Sequence, residues 1–156
     1  MSTDPPGSLE GAVIAVTGGG SGIGEALCRH LATLQPAGIA VLDVDGDAAA
    51  ATAERIAPLG VAYEANLAEE SEVVDTIARI VDDLGPVDLW CGNAGVLAIG
   101  GVELPSSTWQ HVWDVNVMAH VWAARHLVPD MIARGGGRFL FTASAAGLLT
   151  QIGSAP

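Results

Sequence analysis

The segment at 17–24 reads TGGGSGIG, five glycines in eight residues, between a short apolar run and a stretch with helical periodicity. Residues without a Cβ let backbone N–H groups close on a phosphate, and the positive end of a following helix adds to the attraction. The spacing is T-G-x-x-x-G-x-G, carried by Gly18, Gly22 and Gly24, and no three of these glycines fit G-x-G-x-x-G. A phosphate loop of the G-K-[ST] kind is excluded, because all six basic residues are arginines: Arg29, Arg55, Arg79, Arg125, Arg134 and Arg138. Asp43 follows Gly24 by 19 residues, at the end of the next apolar run. A carboxylate there accepts hydrogen bonds from both hydroxyls of an adenosine ribose. It also repels a 2′-phosphate that no nearby cation would offset, so the pattern favours NAD over NADP. Capping the next helix is the bland role for such an aspartate, and Asp45 suits it better than Asp43.

These groups need a scaffold that brings a glycine turn and a carboxylate to one edge. Residues 12–16 (AVIAV), 39–42, 61–65, 87–91 and 139–142 are short apolar runs that read as buried strands. Between them, residues 22–34, 47–59, 69–84 and 108–134 carry helical spacing, the first through Ile23, Leu27, Leu31 and Leu34, the third through Val73, Ile77, Ile80 and Val81. Ser106 or Ser107 is expected to cap the last helix. Strands alternating with helices predict right-handed crossovers and a parallel sheet covered on both faces: an α/β, doubly wound, Rossmann-like fold. One domain over residues 1–156 is expected, with residues 1–10 a flexible leader.

Composition narrows the function classes. Eighteen acidic residues against six basic ones give a net charge of −12, which repels phosphate backbones and anionic lipid, so neither nucleic acid nor a membrane is an expected partner. No apolar run approaches the ~18 residues of a membrane span, and the N-terminus lacks a basic then apolar leader. Cys28 and Cys91 are expected to be reduced, buried thiols, which suits the cytoplasm. Among the histidines, His111, His120 and His126 share one helical stretch, but no two are three or four residues apart, so no metal site is expected. Trp109, Trp113 and Trp122 read as packing groups.

With these motifs in order, the chain resembles the short-chain dehydrogenase/reductase family from about Leu9 onward. The resemblance rests on T-G-x-x-x-G-x-G at Thr17, GNAG at 92–95 after the fourth strand, Asn116 on the long helix and Ser144 after the fifth strand. It implies that Gly18, Ser21, Gly22, Ile23 and Gly24 line a pyrophosphate, that Asp43 holds the ribose, and that Asn66 and Leu67 meet adenine. The family has aspartate where Asn66 stands, and an amide oxygen can still accept from the adenine amino group. Asn93, Ala94 and Gly95 would flank the cofactor ribose, Asn116 would help hold a water, and Ser144 would hydrogen-bond the substrate oxygen. The implied activity is hydride transfer between NAD(H) and a secondary alcohol or ketone.

The family's acid/base pair is a tyrosine and a lysine four residues later. This sequence has no lysine, and Tyr63, its one tyrosine, lies in the third strand. Thirteen residues past Ser144, where the family places its tyrosine, is position 157, so the 156 residues read as the N-terminal part of a longer enzyme and are expected to be inactive alone. The apolar FLF of the fifth strand would otherwise be an unpaired edge. Two other readings stay open: a non-catalytic NAD-binding sensor, and an adenosylmethionine-binding Rossmann domain. Ala146, Leu148 and Leu149 suggest a lipophilic substrate. Val115, Met118 and Trp122 form one stripe and Val117, Val121 and Val128 another, so a homodimer or homotetramer of the full-length protein is expected.

Overall fold

The computed structural model describes residues 8–145. In chain order the elements are β1 (Val13–Thr17), α1 (Gly22–Ala32), β2 (Gly38–Asp43), α2 (Gly46–Arg55), β3 (Gly60–Glu64), α3 (Glu70–Leu84), β4 (Leu89–Gly92), α4 (Ser106–Trp113), a π turn (Asp114–Met118), α5 (Ala119–Ala133) and β5 (Arg138–Phe141). The strands form one sheet in the order β3-β2-β1-β4-β5, and every pairing is parallel. This is the Rossmann-like α/β arrangement that the alternating pattern predicts.

Successive side chains of a strand point to opposite faces, so each apolar run feeds two cores. Val13 and Ala15 of β1, with Ala40 and Leu42 of β2, join one cluster that includes Val73, Ile77 and Ile80 of α3 and Trp122, Leu127 and Met131 of α5. Ile14 and Val16, with Ile39 and Val41, join the other, closed by Cys28 and Leu31 of α1 and Ala49 and Ala53 of α2. Among the described residues β5 lies at the sheet margin, paired only with β4, and leaves Leu140 and Phe141 about half exposed.

Several element ends differ from the sequence reading. α1 stops at Ala32, where Thr33 caps its end and the chain turns through Gln35 at φ 56°. The second helix ends at Arg55 instead of near 59, because Ile56 turns into the core and Pro58 has no N–H with which to continue the ladder. The long helix begins at Ser106 after Pro105, which makes no side-chain cap bond, so neither Ser106 nor Ser107 is the cap. A wider turn at Asp114–Met118 also interrupts it. Turns of this kind occur frequently at functional sites.

Candidate functional site

The chain runs from β1 outward through β2 to β3, then returns to place β4 on the other side of β1. Where the order reverses, the carboxyl ends of the strands leave a crevice, the usual ligand position in such sheets. Here it is a cavity of about 450 Å³. Its wall includes Gly18, Ser21, Gly22, Ile23, Asp43, Asn66, Leu67, Asn93, Ala94 and Gly95. Three other residues singled out in the sequence, Gly24, Asn116 and Ser144, are not on that wall.

The glycines have separate tasks. Gly18 has φ +62°, and a Cβ there would sit 2.9 Å from the Ala94 Cα, so only glycine lets the first loop cross the second. Gly24 is buried inside α1, where an added Cβ would collide with the Gly18 carbonyl; it sets how closely helix and loop approach. Ile23, part of the helical spacing and also expected to line a pyrophosphate, is 69% exposed on the cavity side.

The start of α1 is open. Its N-cap, Ser21, makes no side-chain cap bond. At the start of α2, by contrast, the Asp45 carboxylate accepts from the Ala48 N–H at 3.0 Å, as expected for Asp45. The first amides of a helix need acceptors, and at α1 they face the cavity as a ready site for an anion. Asp43 closes the other side: its Oδ2 accepts from the Gly20 N–H at 2.9 Å and its Oδ1 from the Asp45 N–H at 3.1 Å, which fixes the carboxylate against the loop. Glycine cradle, open helix start and fixed carboxylate together fit the pyrophosphate and ribose of a dinucleotide.

Asn93 and Thr17 join the two halves of the crevice. The buried Thr17 hydroxyl accepts from the N–H groups of Asn93 (2.8 Å) and Ala94 (2.9 Å) and donates to the Cys91 carbonyl (3.3 Å). The Asn93 amide donates to the Thr17 carbonyl at 3.1 Å, and its oxygen accepts from the Thr142 hydroxyl at 2.9 Å. Asn116, in the π turn, makes a reciprocal pair with the Val96 backbone: Oδ1 accepts from its N–H at 2.8 Å and Nδ2 donates to its carbonyl at 2.9 Å. Both ends of that side chain are thus committed to the loop after β4. Ser144 lies exposed, two residues past Thr142. Ala146, Leu148 and Leu149 fall outside the described residues.

The structure adds wall residues that the motifs did not identify: Val44, Ala65, Val96, His111, Val115 and Thr142. His111 and Val115 are four apart, a helical-face signal that a search for metal pairs passes over. Tyr63 is no acid/base group: it is buried, burial pushes its hydroxyl pKa up, and it donates to Asp83 at 2.9 Å. Burial likewise raises the thiols of Cys28 to about 12 and Cys91 to about 11, so neither is a nucleophile at neutral pH.

Parallel sheet, glycine loop and crevice at the reversal point define a Rossmann-like domain. The chain belongs to the short-chain dehydrogenase family: the family model, described as short chain dehydrogenase, matches residues 12–156. Among similar proteins, the 1-deoxy-11-beta-hydroxypentalenate dehydrogenase of Streptomyces exfoliatus is 38% identical over 94% of this chain and 56% of that protein. Cyclohexanol dehydrogenase of Acinetobacter sp. (strain SE19) is 36% identical over 88% of this chain and 56% of its own length. A crystal structure of a short-chain dehydrogenase/reductase from Burkholderia phymatum in complex with NAD superposes with a TM-score of 0.88 at 28% identity, covering 94% of this chain and 54% of that one. The chain thus spans little more than half the length of these relatives. Among the described residues, no helix is long and apolar enough to cross a membrane.

Proposed function

We propose that the cavity holds NAD, and that this chain is the cofactor-binding part of an oxidoreductase moving hydride between NAD(H) and a lipophilic secondary alcohol or ketone. The observation that carries this reading is the uncapped start of α1, set beneath a glycine loop and opposite the fixed Asp43 carboxylate. Gly18, Ser21, Gly22 and Ile23 would hold the pyrophosphate, Asp43 the ribose, Asn66 and Leu67 the adenine, and Asn93, Ala94 and Gly95 the second ribose. Gly24 would act through helix packing. When bound, the cofactor supplies the carbon that accepts or gives hydride. Ser144 would orient the substrate oxygen, and Asn116 would hold the loop from Val96 in register with the site. That loop favours an apolar substrate: residues 94–102 contain no polar side chain, and Leu97, Ile99 and Val102 are 72%, 83% and 89% exposed.

The proton of the reacting hydroxyl needs a base, and the sequence offers no lysine and only the buried Tyr63. We therefore expect this chain alone to bind NAD without turning over alcohol. Calorimetry decides the cofactor: NAD should bind at least about tenfold more tightly than NADP or adenosylmethionine, a gap of about 1.4 kcal/mol. Equal or tighter binding of either competitor overturns the NAD reading. Alcohol-dependent NADH formation by the 156-residue chain would overturn the expected division of labour, while NAD binding without turnover in the whole protein would favour the sensor reading. Trp113, Val121 and Ile132 leave apolar surface on α4 and α5, which supports a homodimer or homotetramer of the whole protein; a monomer by light scattering at micromolar concentration counts against it. The two buried thiols suit a reducing compartment such as the cytoplasm.

A further inference from the structure

Resting on the NAD reading, we infer that Asn66 meets the base of the dinucleotide with a hydrogen-bond donor, so that the site takes a purine with an oxygen at position 6 at least as well as adenine. The order of the strands sets where the base lies. The cavity wall draws Gly18, Ser21 and Gly22 from the turn after β1, Asp43 and Val44 from the end of β2, and Ala65, Asn66 and Leu67 from the segment after β3. β2 lies between β1 and β3. On one side Asp43 takes the Gly20 N–H on its carboxylate at 2.9 Å, and on the other its carbonyl takes the Ala65 N–H at 2.9 Å. A dinucleotide with its pyrophosphate at the glycine loop and its ribose on Asp43 therefore carries its base to Ala65, Asn66 and Leu67.

The Asn66 carboxamide is held one way round. Its Oδ1 accepts from the Ala68 N–H at 3.1 Å, and an N–H requires an oxygen opposite it. Nδ2 has no hydrogen-bond partner among the described residues. The end of the amide left for a base is thus its nitrogen, not the oxygen expected from the sequence. Ala65 and Leu67 on either side are buried and apolar, so Nδ2 is the polar side-chain atom this segment offers to the cavity. Glu64, Glu72 and Arg79 line the adjoining depression and not the cavity wall. The amino group of adenine is itself a donor and forms no bond with Nδ2, which leaves adenine its ring nitrogens as acceptors. Hypoxanthine carries an oxygen in place of that amino group, and the oxygen accepts from Nδ2 directly.

The test compares NAD with nicotinamide hypoxanthine dinucleotide, which differs only in the base, by calorimetry on the parent, Asn66→Asp and Asn66→Ala. The parent should bind the hypoxanthine form as tightly as NAD or more tightly. Asn66→Asp keeps an acceptor for the Ala68 N–H and turns the other end into an acceptor as well; it should shift the affinity ratio toward NAD by about tenfold or more. The added charge meets both dinucleotides alike and cancels in that ratio. Asn66→Ala should give a ratio between the other two. A parent that prefers NAD by about threefold or more, or a ratio unchanged within twofold in Asn66→Asp, overturns the donor role of Asn66. Failure of the parent to bind either dinucleotide overturns the cofactor reading itself, a separate outcome.

Discussion

The β1–α1 and β2–α2 units are built alike, each a buried strand, a tight turn and a helix against the same face of the sheet, yet their helix starts are opposite in chemistry. α2 is closed by its own residue, Asp45, whose carboxylate takes the Ala48 amide. α1 begins at Ser21 with no side-chain cap and opens on the cavity. An internal cap contributes about 1 kcal/mol to stability, so leaving one out is a local loss that a bound anion would restore. The comparison separates a helix end closed by its own side chain from one without such a cap whose first residues, unlike those of the similarly uncapped α3 and α4, line the cavity.

The largest effect should come from making the first start resemble the second. Ser21→Asp places a carboxylate where a pyrophosphate would lie; thermal melting should show an unchanged or slightly more stable protein, while NAD affinity by calorimetry falls by about 100-fold or more through like-charge repulsion. Unaltered NAD affinity would break the comparison. Next is Gly24→Ala, where a Cβ meets the Gly18 carbonyl: overpacking should cost about 1–3 kcal/mol in denaturant unfolding. The neighbouring Gly22→Ala finds open space at φ +54° and should cost only about 1 kcal/mol. Asp43→Ala should weaken NAD about tenfold and narrow the gap to NADP, because it removes both the proposed ribose acceptor and the Gly20 tether. Asp45→Ala should lower stability by about 1 kcal/mol with NAD affinity held within twofold.

The smallest effect lies away from both helix starts. Burial lowers the pKa of His120, so the folded state favours its neutral ring. The unfolded chain takes up the proton first as pH falls below about 6.5, so the stability from keeping this ring neutral is complete above that value and is lost as pH drops through the lower folded one. Replacing His120 with Leu should reduce the melting-temperature difference between pH 7.5 and 5.5 by less than about 3 °C.

The order of strands and helices was legible because strands buried on both faces are written as continuous apolar runs, as at Ile39 to Leu42, and because Gly, Pro and Asp residues punctuate them. The glycine turn and Asp43 were legible for a related reason: their spacing is fixed by a short turn and one strand–helix–strand unit. What escaped depended on the third dimension. Spacing alone groups Ile23 with Leu27 and Leu31, but the first turn of α1 turns it onto the cavity, where the family resemblance places it. Nothing local marks Asp114–Met118 as a wider turn, and the partner of its Asn116, Val96, lies 20 residues earlier. His111 was examined only against other histidines, and sequence spacing does not show that it shares a cavity wall with Gly18 and Ser21. Ser106 and Ser107 look like caps, but Pro105 already sets the entry of the chain into α4.

Thr17 has a consequence for how the crevice breathes. One hydroxyl oxygen accepts from two consecutive amides, Asn93 and Ala94, while its proton goes to Cys91. Neither amide can lose its partner through a rotation of Thr17 without the other losing it too, so the two protons share one opening event. In native-state hydrogen exchange they should decay with matched protection, and a ligand that fills the crevice should slow them by the same factor. Thr17→Val should speed both together, making this pair of amides a single clock for the parting of β1 from β4.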